Sequence, residues 1–262
     1  MFNLSESLKT VFRKANLISY PEVCIVGDPI IDIYLEPNKN KICDGGALNV
    51  INNYKYFSGK TPFVCLPDTK PYFYYHKKNN RNYTKIKNKE DFYDSLSKEV
   101  KAKKVIISDY NKGFVNKQIP NIIADIVVVD SKYNTFNLES IKNVKTKVLH
   151  ISKKDKRNKS FLKSFDYIIE TNDKDKIFIF NSKLNLIAEV LPPKATSICD
   201  SGAGDTFVAV LTECLESEPT YYNLVKSVKI AAYAATDVVK RPYTSITTLK
   251  KANICTSLTL TS

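Results

Sequence analysis

Short apolar segments recur along the chain and alternate with longer segments that have the spacing of amphipathic helices. An apolar segment of about four to eight residues with polar flanks favours a strand that is buried on both faces. We predict strands at 23–27, 63–66, 104–108, 125–130, 147–151, 166–170, 176–180 and 185–190. We predict helices at 4–15, 46–58, 90–101, 116–124, 203–216 and 220–239. The alternation indicates βαβ units and a mostly parallel sheet, in a single α/β domain over residues 1–262.

Two further segments add detail to this pattern. Aromatic residues on both sides of an Asn-rich turn predict a hairpin at 71–87. The predicted helix at 220–239 contains the small residues of IAAYAATDVV, which allow close packing against a sheet or a flat ligand.

The composition excludes several classes of protein. A hydrophobic content of 43% and an aromatic content of 11% are typical of a globular chain and not of a disordered one. No apolar run approaches the roughly 20 residues that a membrane-spanning helix needs, and the first residues do not resemble a secretory signal. The six cysteines form no C-x-x-C pair and there are only two histidines, so neither a zinc site nor a disulfide framework is expected. We therefore expect a cytoplasmic protein with no membrane partner.

The net charge of +13 leaves two interpretations open. The lysines are scattered among asparagines, as in 77–89, and such residues can simply cover solvated faces. A positive field would also attract an anionic small molecule. Because no Arg-rich stripe is present, we expect no nucleic-acid partner.

The most informative segment is Ser201-Gly202-Ala203-Gly204-Asp205, which directly precedes a predicted helix in a chain with only seven glycines. Small residues at the start of a helix let its backbone amides approach a ligand, and the helix dipole favours a phosphate there. We predict an anion hole at Gly202, Ala203 and Gly204, with Asp205 as the base that accepts the proton of an attacking hydroxyl. The alternative is an ordinary capped helix start.

Several segments together resemble the PfkB, or ribokinase, family of sugar kinases. The segment 202–207 resembles the family's C-terminal GAGDTF signature, and 45–50 resembles its GGxxNvA segment. The segments 27–34, 108–113 and 129–132 are similar to the GDxxxDxY, SDYxKG and VDPK segments of the kinase domain in the bifunctional heptose 7-phosphate kinase and heptose 1-phosphate adenylyltransferase. The resemblance covers about residues 4–250. It implies a ribokinase-like three-layer α/β/α sandwich that uses ATP and Mg²⁺ to phosphorylate a sugar or sugar phosphate. One acceptor that the resemblance implies is D-glycero-D-manno-heptose 7-phosphate, at its anomeric hydroxyl.

The resemblance also implies binding residues. Those for the substrate are Asp28, Asp32, Gly45, Gly46, Asn49, Asp109 and Lys112. Those for the nucleotide are Lys132, Ser152 and Thr171, with Asp155 holding the metal through water. Each polar residue has a structural alternative, such as a turn cap, a bond to its own backbone or a solvated loop.

Departures from the family's pattern keep other functions open. Only residues 35–44 separate the first two segments, so we expect the β lid to be short or absent, which would weaken a homodimer. The TPNxxE segment is replaced by residues 150–155, and the T-x-G-x-x-G turn at 171–176 has lost both glycines. The alternatives are a catalytically impaired pseudokinase or binding protein on this fold, and a kinase for another sugar or a nucleoside.

Overall fold

The computed structural model describes residues 20–67, 71–79, 82–87, 99–117, 119–131, 136–155, 157–172 and 175–258. The predicted helix at 4–15 and most of the one at 90–101 lie outside these residues. The strands are β1 (Val23–Gly27), β2 (Pro29–Leu35), β3 (Lys41–Gly46), β4 (Phe63–Cys65), β5 (Tyr72–Asn79), β6 (Asn82–Lys87), β7 (Glu99–Lys101), β8 (Lys104–Asp109), β9 (Asn121–Ser131), β10 (Asn143–Ser152), β11 (Tyr167–Thr171), β12 (Ile177–Asn181) and β13 (Leu186–Val190). The helices are α1 (Ala47–Ser58), α2 (Phe114–Lys117), α3 (Lys159–Leu162), α4 (Ala203–Cys214), α5 (Tyr221–Val239) and α6 (Lys251–Leu258), with a 3-10 turn at Leu138–Ile141.

The described strands form one large sheet with the order β13-β12-β11-β10-β9-β8-β1-β4, and β7 also pairs with β9. Neighbours from β11 to β4 are parallel, whereas β12 and β13 add an antiparallel edge. The central strands are buried on both faces, which explains why their sequences are apolar at nearly every position. The mostly parallel α/β architecture predicted from the sequence is confirmed.

Hydrophobic residues on the two faces of this sheet belong to separate clusters. On one face, Ile25, Ile106 and Val128 pack with residues of α1, α4 and α5. On the other face, Val26, Ile107 and Val129 pack with residues of the short helices α2 and α3. This alternation follows from the period of two along each strand.

A second, four-stranded sheet has the order β3-β2-β5-β6. It differs from the expectation of a short or absent lid. Residues 29–46 provide only β2 and β3. However, β2 also pairs in parallel with β5 of the predicted hairpin, in register from Ile30 with Tyr72 to Leu35 with Lys77. Because this pairing joins segments about forty residues apart, inspection of 35–44 alone underestimates the sheet. We call it the small sheet.

Two predicted helices differ from the structure. Residues 121–131 form β9, with alternating burial over 121–126, and not the end of a helix at 116–124; only Phe114–Lys117 are helical. Residues Glu99–Lys101 form β7 and not the last turn of a helix. In both segments the spacing of apolar residues fits either period, and pairing with neighbouring strands decides the outcome.

Within the part of the chain that the structure describes, no helix combines the length and apolar character that a membrane span requires.

Candidate active site

A cavity of about 540 Å³ opens at the carboxyl ends of the parallel strands. The small sheet, the first turn of α4 and one side of α5 contribute its other walls. Open α/β sheets bind ligands in this crevice because loops and helix N-termini converge there. The charged or titratable lining residues from the described chain are Asp32, Tyr74, His76, Tyr110, Asp130, His150, Asp155, Asp200 and Asp205.

Asp205 lies in the first turn of α4 and is only 2% exposed. Its Oδ2 accepts a hydrogen bond from Asn49 Nδ2 at 3.0 Å, and its Oδ1 accepts one from the Tyr110 hydroxyl at 2.8 Å. Donors to both oxygens stabilise an ionised carboxylate. A carboxylate has about four lone-pair sites, so two such donors leave capacity for a further proton donor in the cavity.

The turn before Asp205 is held in shape by Gly202, the N-cap of α4, which has φ 85°. A Cβ atom on Gly202 would lie 2.6 Å from Asn49 Nδ2, so glycine permits both the left-handed backbone and the close approach of Asn49. Gly202, Ala203 and Gly204 all line the cavity, and their role as an anion hole stays a prediction. The amide of Ala203 donates to the carbonyl of Asp200 at 3.3 Å, so this amide is engaged within the turn.

Asn49 was predicted to contact the substrate, but in this structure its amide is used to orient Asp205. Its side chain is 1% exposed and does not line the cavity. Its Oδ1 accepts from Asn53 Nδ2 at 3.1 Å, and Asn53 Oδ1 in turn accepts from the hydroxyl of Thr206 and the amide of Thr247. This buried network couples α1 to the start of α4 and fixes the position of the carboxylate.

Tyr110 is a site residue that the sequence analysis did not identify. It belongs to the segment 108–113, in which only Asp109 and Lys112 were singled out. Burial, followed by the charge of Asp205, raises the pKa of the Tyr110 hydroxyl well above its usual value, so the hydroxyl stays a donor. The sequence signal that could have identified Tyr110 is its position in the segment 108–113, directly after the end of β8.

Asp28 and Asp109 do not line the cavity and instead support the loop that carries Tyr110. Asp28 Oδ2 accepts from the amides of Tyr110 at 2.9 Å and Lys112 at 3.1 Å. Asp109 accepts from Ser131 Oγ at 2.7 Å and from the amide of Asn111 at 2.8 Å. Burial is the main cause that raises the pKa of both carboxyls, that of Asp28 to about 7. The geometry therefore favours a supporting role over the predicted sugar contacts.

Lys112, also predicted to bind the substrate, lies against the small sheet. Its Nζ is 4.9 Å from the ring centroid of Tyr74 and 5.3 Å from that of Tyr72, and it is not among the lining residues. Cations stabilise such positions over aromatic faces. Its described contacts join the loop to the small sheet.

Asp32 does line the cavity, together with His76 from the neighbouring strand β5. Asp32 Oδ1 lies 2.7 Å from His76 Nε2, and Oδ2 accepts from Thr244 Oγ1 at 2.8 Å. The His76 ring stacks on Tyr34 with centroids 4.3 Å apart. Gly45 makes room for this group, since a Cβ there would lie 2.3 Å from Asp32 Oδ2, and Gly46 lines the cavity directly. The end of the cavity predicted to bind the acceptor substrate thus contains a paired aspartate and histidine.

The opposite end of the cavity contains the predicted nucleotide residues. Ser152, Thr171 and Asp155 line it, whereas Lys132 lies outside the described residues. Apolar and small side chains form a slot beside them: Ile177, Pro192, Pro193, Ala195, Phe207, Ala232, Ala235 and Val239. Such a slot suits a flat ring, which agrees with the small residues noted in α5.

Comparisons with known proteins agree on the architecture. No family model and no curated protein matches the chain. Ribokinase from Thermotoga maritima superimposes with a TM-score of 0.66 at 13% identity, over 92% of this chain and 100% of that one. The chain has a ribokinase-like fold. The ribokinase-like fold is also seen in aminoimidazole riboside kinase from Salmonella enterica, with a TM-score of 0.64 at 14% identity over 90% of this chain and 99% of that one. A nucleoside kinase from Methanocaldococcus jannaschii matches with a TM-score of 0.60 at 16% identity, over 91% and 98%.

The end of the cavity with the predicted nucleotide residues has an apolar slot for a flat ring and an oxygen ligand for a cation. The first turn of α4 lies beside the His150 ring, since a Cβ on Gly204 would be in ordinary van der Waals contact with His150 Cε1, at 3.8 Å. For a divalent cation, Asp155 offers an oxygen ligand of the kind that Mg²⁺ prefers. Asp155 Oδ2 already accepts from the amide of Ser152 at 3.1 Å and lies 3.7 Å from Arg157. Since the described residues contain no cluster of three or more metal-binding side chains, the cation would depend on phosphates and water for its remaining ligands.

Proposed function

We propose that this protein catalyses ATP-dependent phosphorylation of a hydroxyl group on a sugar or a sugar-like compound. The observation that carries the proposal is the placement of the buried Asp205 carboxylate in the first turn of α4, facing a cavity with an apolar slot on one side. Kinases among the proteins of similar fold support it.

In this mechanism the chain's residues act mainly by orientation and electrostatics. Asp205 accepts the proton of the acceptor hydroxyl as the acceptor oxygen bonds to the transferred phosphorus and the bond to the leaving diphosphate breaks. Asn49 and Tyr110 keep the carboxylate in position through the bonds to its two oxygens. Amides at the start of α4 other than that of Ala203, which is engaged within the turn, stabilise negative charge on the phosphoryl group. Asp155 would hold Mg²⁺ through water, and the cation would neutralise charge on the phosphoryl group that bound ATP supplies.

The sequence resemblance and the lining of the cavity both bear on the identity of the acceptor. The sequence segments resemble heptose kinases, so D-glycero-D-manno-heptose 7-phosphate is the first acceptor to test. The basic side chains among the described lining residues are His76 and His150, alongside five aspartates. This lining favours hydroxyl groups and suits an unphosphorylated sugar or nucleoside as the alternative acceptor.

The function is tested by measuring ADP release with a panel of acceptors. The panel contains heptose 7-phosphate, the same heptose without phosphate, ribose, fructose and adenosine. The first pair differs only in the phosphate and therefore separates the two acceptor classes. ADP release that requires one of these compounds supports the proposal; no acceptor-dependent release, with nucleotide binding intact, would favour a binding protein on this fold.

The role of Asp205 is tested with Asp205→Asn. General-base catalysis typically contributes about 10²- to 10⁴-fold to the rate. We therefore expect kcat to fall by at least about 10²-fold, with little change in acceptor affinity. Asp125→Asn is the matched control, because Asp125 forms a surface ion pair with Lys145 at 2.8 Å and does not line the cavity. A kcat for Asp205→Asn close to that of the control would contradict the assigned role.

A further inference from the structure

A second carboxylate–histidine pair lies at the nucleotide end of the cavity and has no part in the mechanism above. Asp130, His150 and Thr171 lie at the ends of the adjacent strands β9, β10 and β11, where His150 is in register with Asp130. His150 Nδ1 is 2.9 Å from Asp130 Oδ1, and Nε2 is 3.2 Å from Thr171 Oγ1. We call these three residues the His150 cluster.

The cluster orients the imidazole ring. An ionised carboxylate can only accept, so Asp130 requires the proton of His150 to be on Nδ1. Thr171 Oγ1 also lies 3.3 Å from the carbonyl oxygen of Ile151, to which its hydroxyl can donate. When it does so, Oγ1 is left to accept from Nε2–H, and a ring that donates from both nitrogens is a cation. The histidine can therefore be held as a positively charged donor.

The ring also forms a wall of the predicted phosphate site. It stacks on Phe207 of α4 with centroids 4.9 Å apart, and its Cε1 lies 3.8 Å from the position of a Cβ on Gly204. The charged lining residues on the surrounding segments are Asp130 on β9, Asp155 after β10 and Asp205 in α4. All three are acidic, so a polyphosphate in this cavity needs positive charge close to it.

We propose that His150 donates Nε2–H to a terminal phosphate oxygen of the donor nucleotide in place of its bond to Thr171, and that Asp130 positions the ring for this contact. The inference rests on the proposed function, since it assumes that a nucleoside triphosphate occupies this end of the cavity. Only 5% of His150 is exposed, and burial with a fixed partner lowers the entropic cost of placing a donor beside the phosphate. The contact would supply charge in a chain whose turn at 171–176 lacks the glycines typical of the family.

Two amide substitutions separate the two nitrogens of the ring. Asn reproduces the donor at the Nδ1 position and keeps the bond to Asp130 but loses the Nε2 donor. Gln places a donor near the Nε2 position. We therefore expect His150→Asn to weaken binding of Mg²⁺ and the non-hydrolysable analogue AMP-PNP by about tenfold to a hundredfold, whereas His150→Gln loses less.

The experiment is calorimetric titration of each variant with AMP-PNP and with AMP in the presence of Mg²⁺. AMP shares the base and sugar but lacks the terminal phosphates, so its affinity should change less than twofold. His76→Asn is the matched control, because it makes the same substitution at the acceptor end of the cavity, and we expect its AMP-PNP affinity to equal that of the wild type. If His150→Asn does not fold, Asp130→Ala tests the same contact, because it removes the acceptor of Nδ1–H and releases the ring.

The outcomes distinguish this inference from the proposed function. A selective loss of AMP-PNP affinity in His150→Asn supports both. Unchanged AMP-PNP affinity in His150→Asn, in an enzyme that still releases ADP, overturns the role of His150 and leaves the proposed function standing. A wild-type protein that neither binds AMP-PNP nor releases ADP overturns both.

Discussion

Replacing Gly202 by alanine tests whether the turn before Asp205 is shaped for catalysis. The substitution keeps every backbone amide of the turn but adds a Cβ at a residue with φ 85°. That atom would lie 2.6 Å from Asn49 Nδ2 and 3.1 Å from Thr244 Cγ2. Asn49 cannot move away without stretching its bond to Asp205, so the clash acts directly on the proposed base.

The structure offers a matched control for the backbone effect. Gly59, the C-cap of α1, has φ 72°, and a Cβ there meets no described atom within 4 Å. A left-handed non-glycine residue costs roughly 1–2 kcal/mol, and we expect Gly59→Ala to lose only this amount of unfolding free energy. Gly202→Ala adds overpacking, which typically costs about 1–3 kcal/mol, for a total of about 2–5 kcal/mol. Displacement of a catalytic group by about 1 Å lowers rates up to roughly 100-fold.

Urea denaturation and steady-state ADP release measure the two effects. We expect Gly59→Ala to retain the wild-type kcat and Gly202→Ala to lose at least about tenfold. Equal losses of unfolding free energy in the two variants, together with a wild-type kcat in Gly202→Ala, would refute the argument that Gly202 protects the contact between Asn49 and Asp205.

Two predictions concern stability. The pKa of Asp28 is raised to about 7, chiefly by burial, so the folded state binds more protons than the unfolded state between about pH 4 and 7 and loses stability as pH rises through this window. In urea denaturation, the unfolding free energy of Asp28→Asn should therefore increase relative to that of the wild type between pH 5 and 8. A difference between the two proteins that does not change with pH would contradict this. Lys104 Nζ donates to the carbonyls of Thr212 and Glu213 at the end of α4, at 3.1 and 3.2 Å, and also to that of Leu215. Lys104→Met should cost about 1–3 kcal/mol of unfolding free energy and leave KM for both substrates unchanged, whereas an unaltered urea midpoint would show that these bonds contribute nothing net.

The predicted residues differ in how well local sequence determined their roles. The position of Asp205 follows from a glycine-rich helix start, a local feature, and the structure has it facing the cavity. Asp28 and Asp32 are both acidic residues of one short motif, yet only Asp32 lines the cavity. Asp32 shares the buried face of β2 with Ile30 and Tyr34, whereas Asp28 precedes the strand and points to the loop at 110–112. The motif alone does not distinguish these orientations.

The histidines show the same limit. No sequence neighbour of His76 or His150 indicates a partner, but pairing of strands brings Asp32 within 2.7 Å of one and Asp130 within 2.9 Å of the other. Asn49 likewise reaches Asp205 across 156 positions of the chain. A cytoplasmic location and a homodimer remain predictions from the sequence.

The amino-acid sequence by itself determined the parallel α/β architecture and the helix start at Asp205, because buried strands and helix starts leave periodic and compositional signals within a few residues. The tertiary structure decided the extent of the small sheet, the lining of the cavity and the partners of each buried polar group. These features depend on which distant strands pair and which way each side chain then points, and neither is encoded within one short segment.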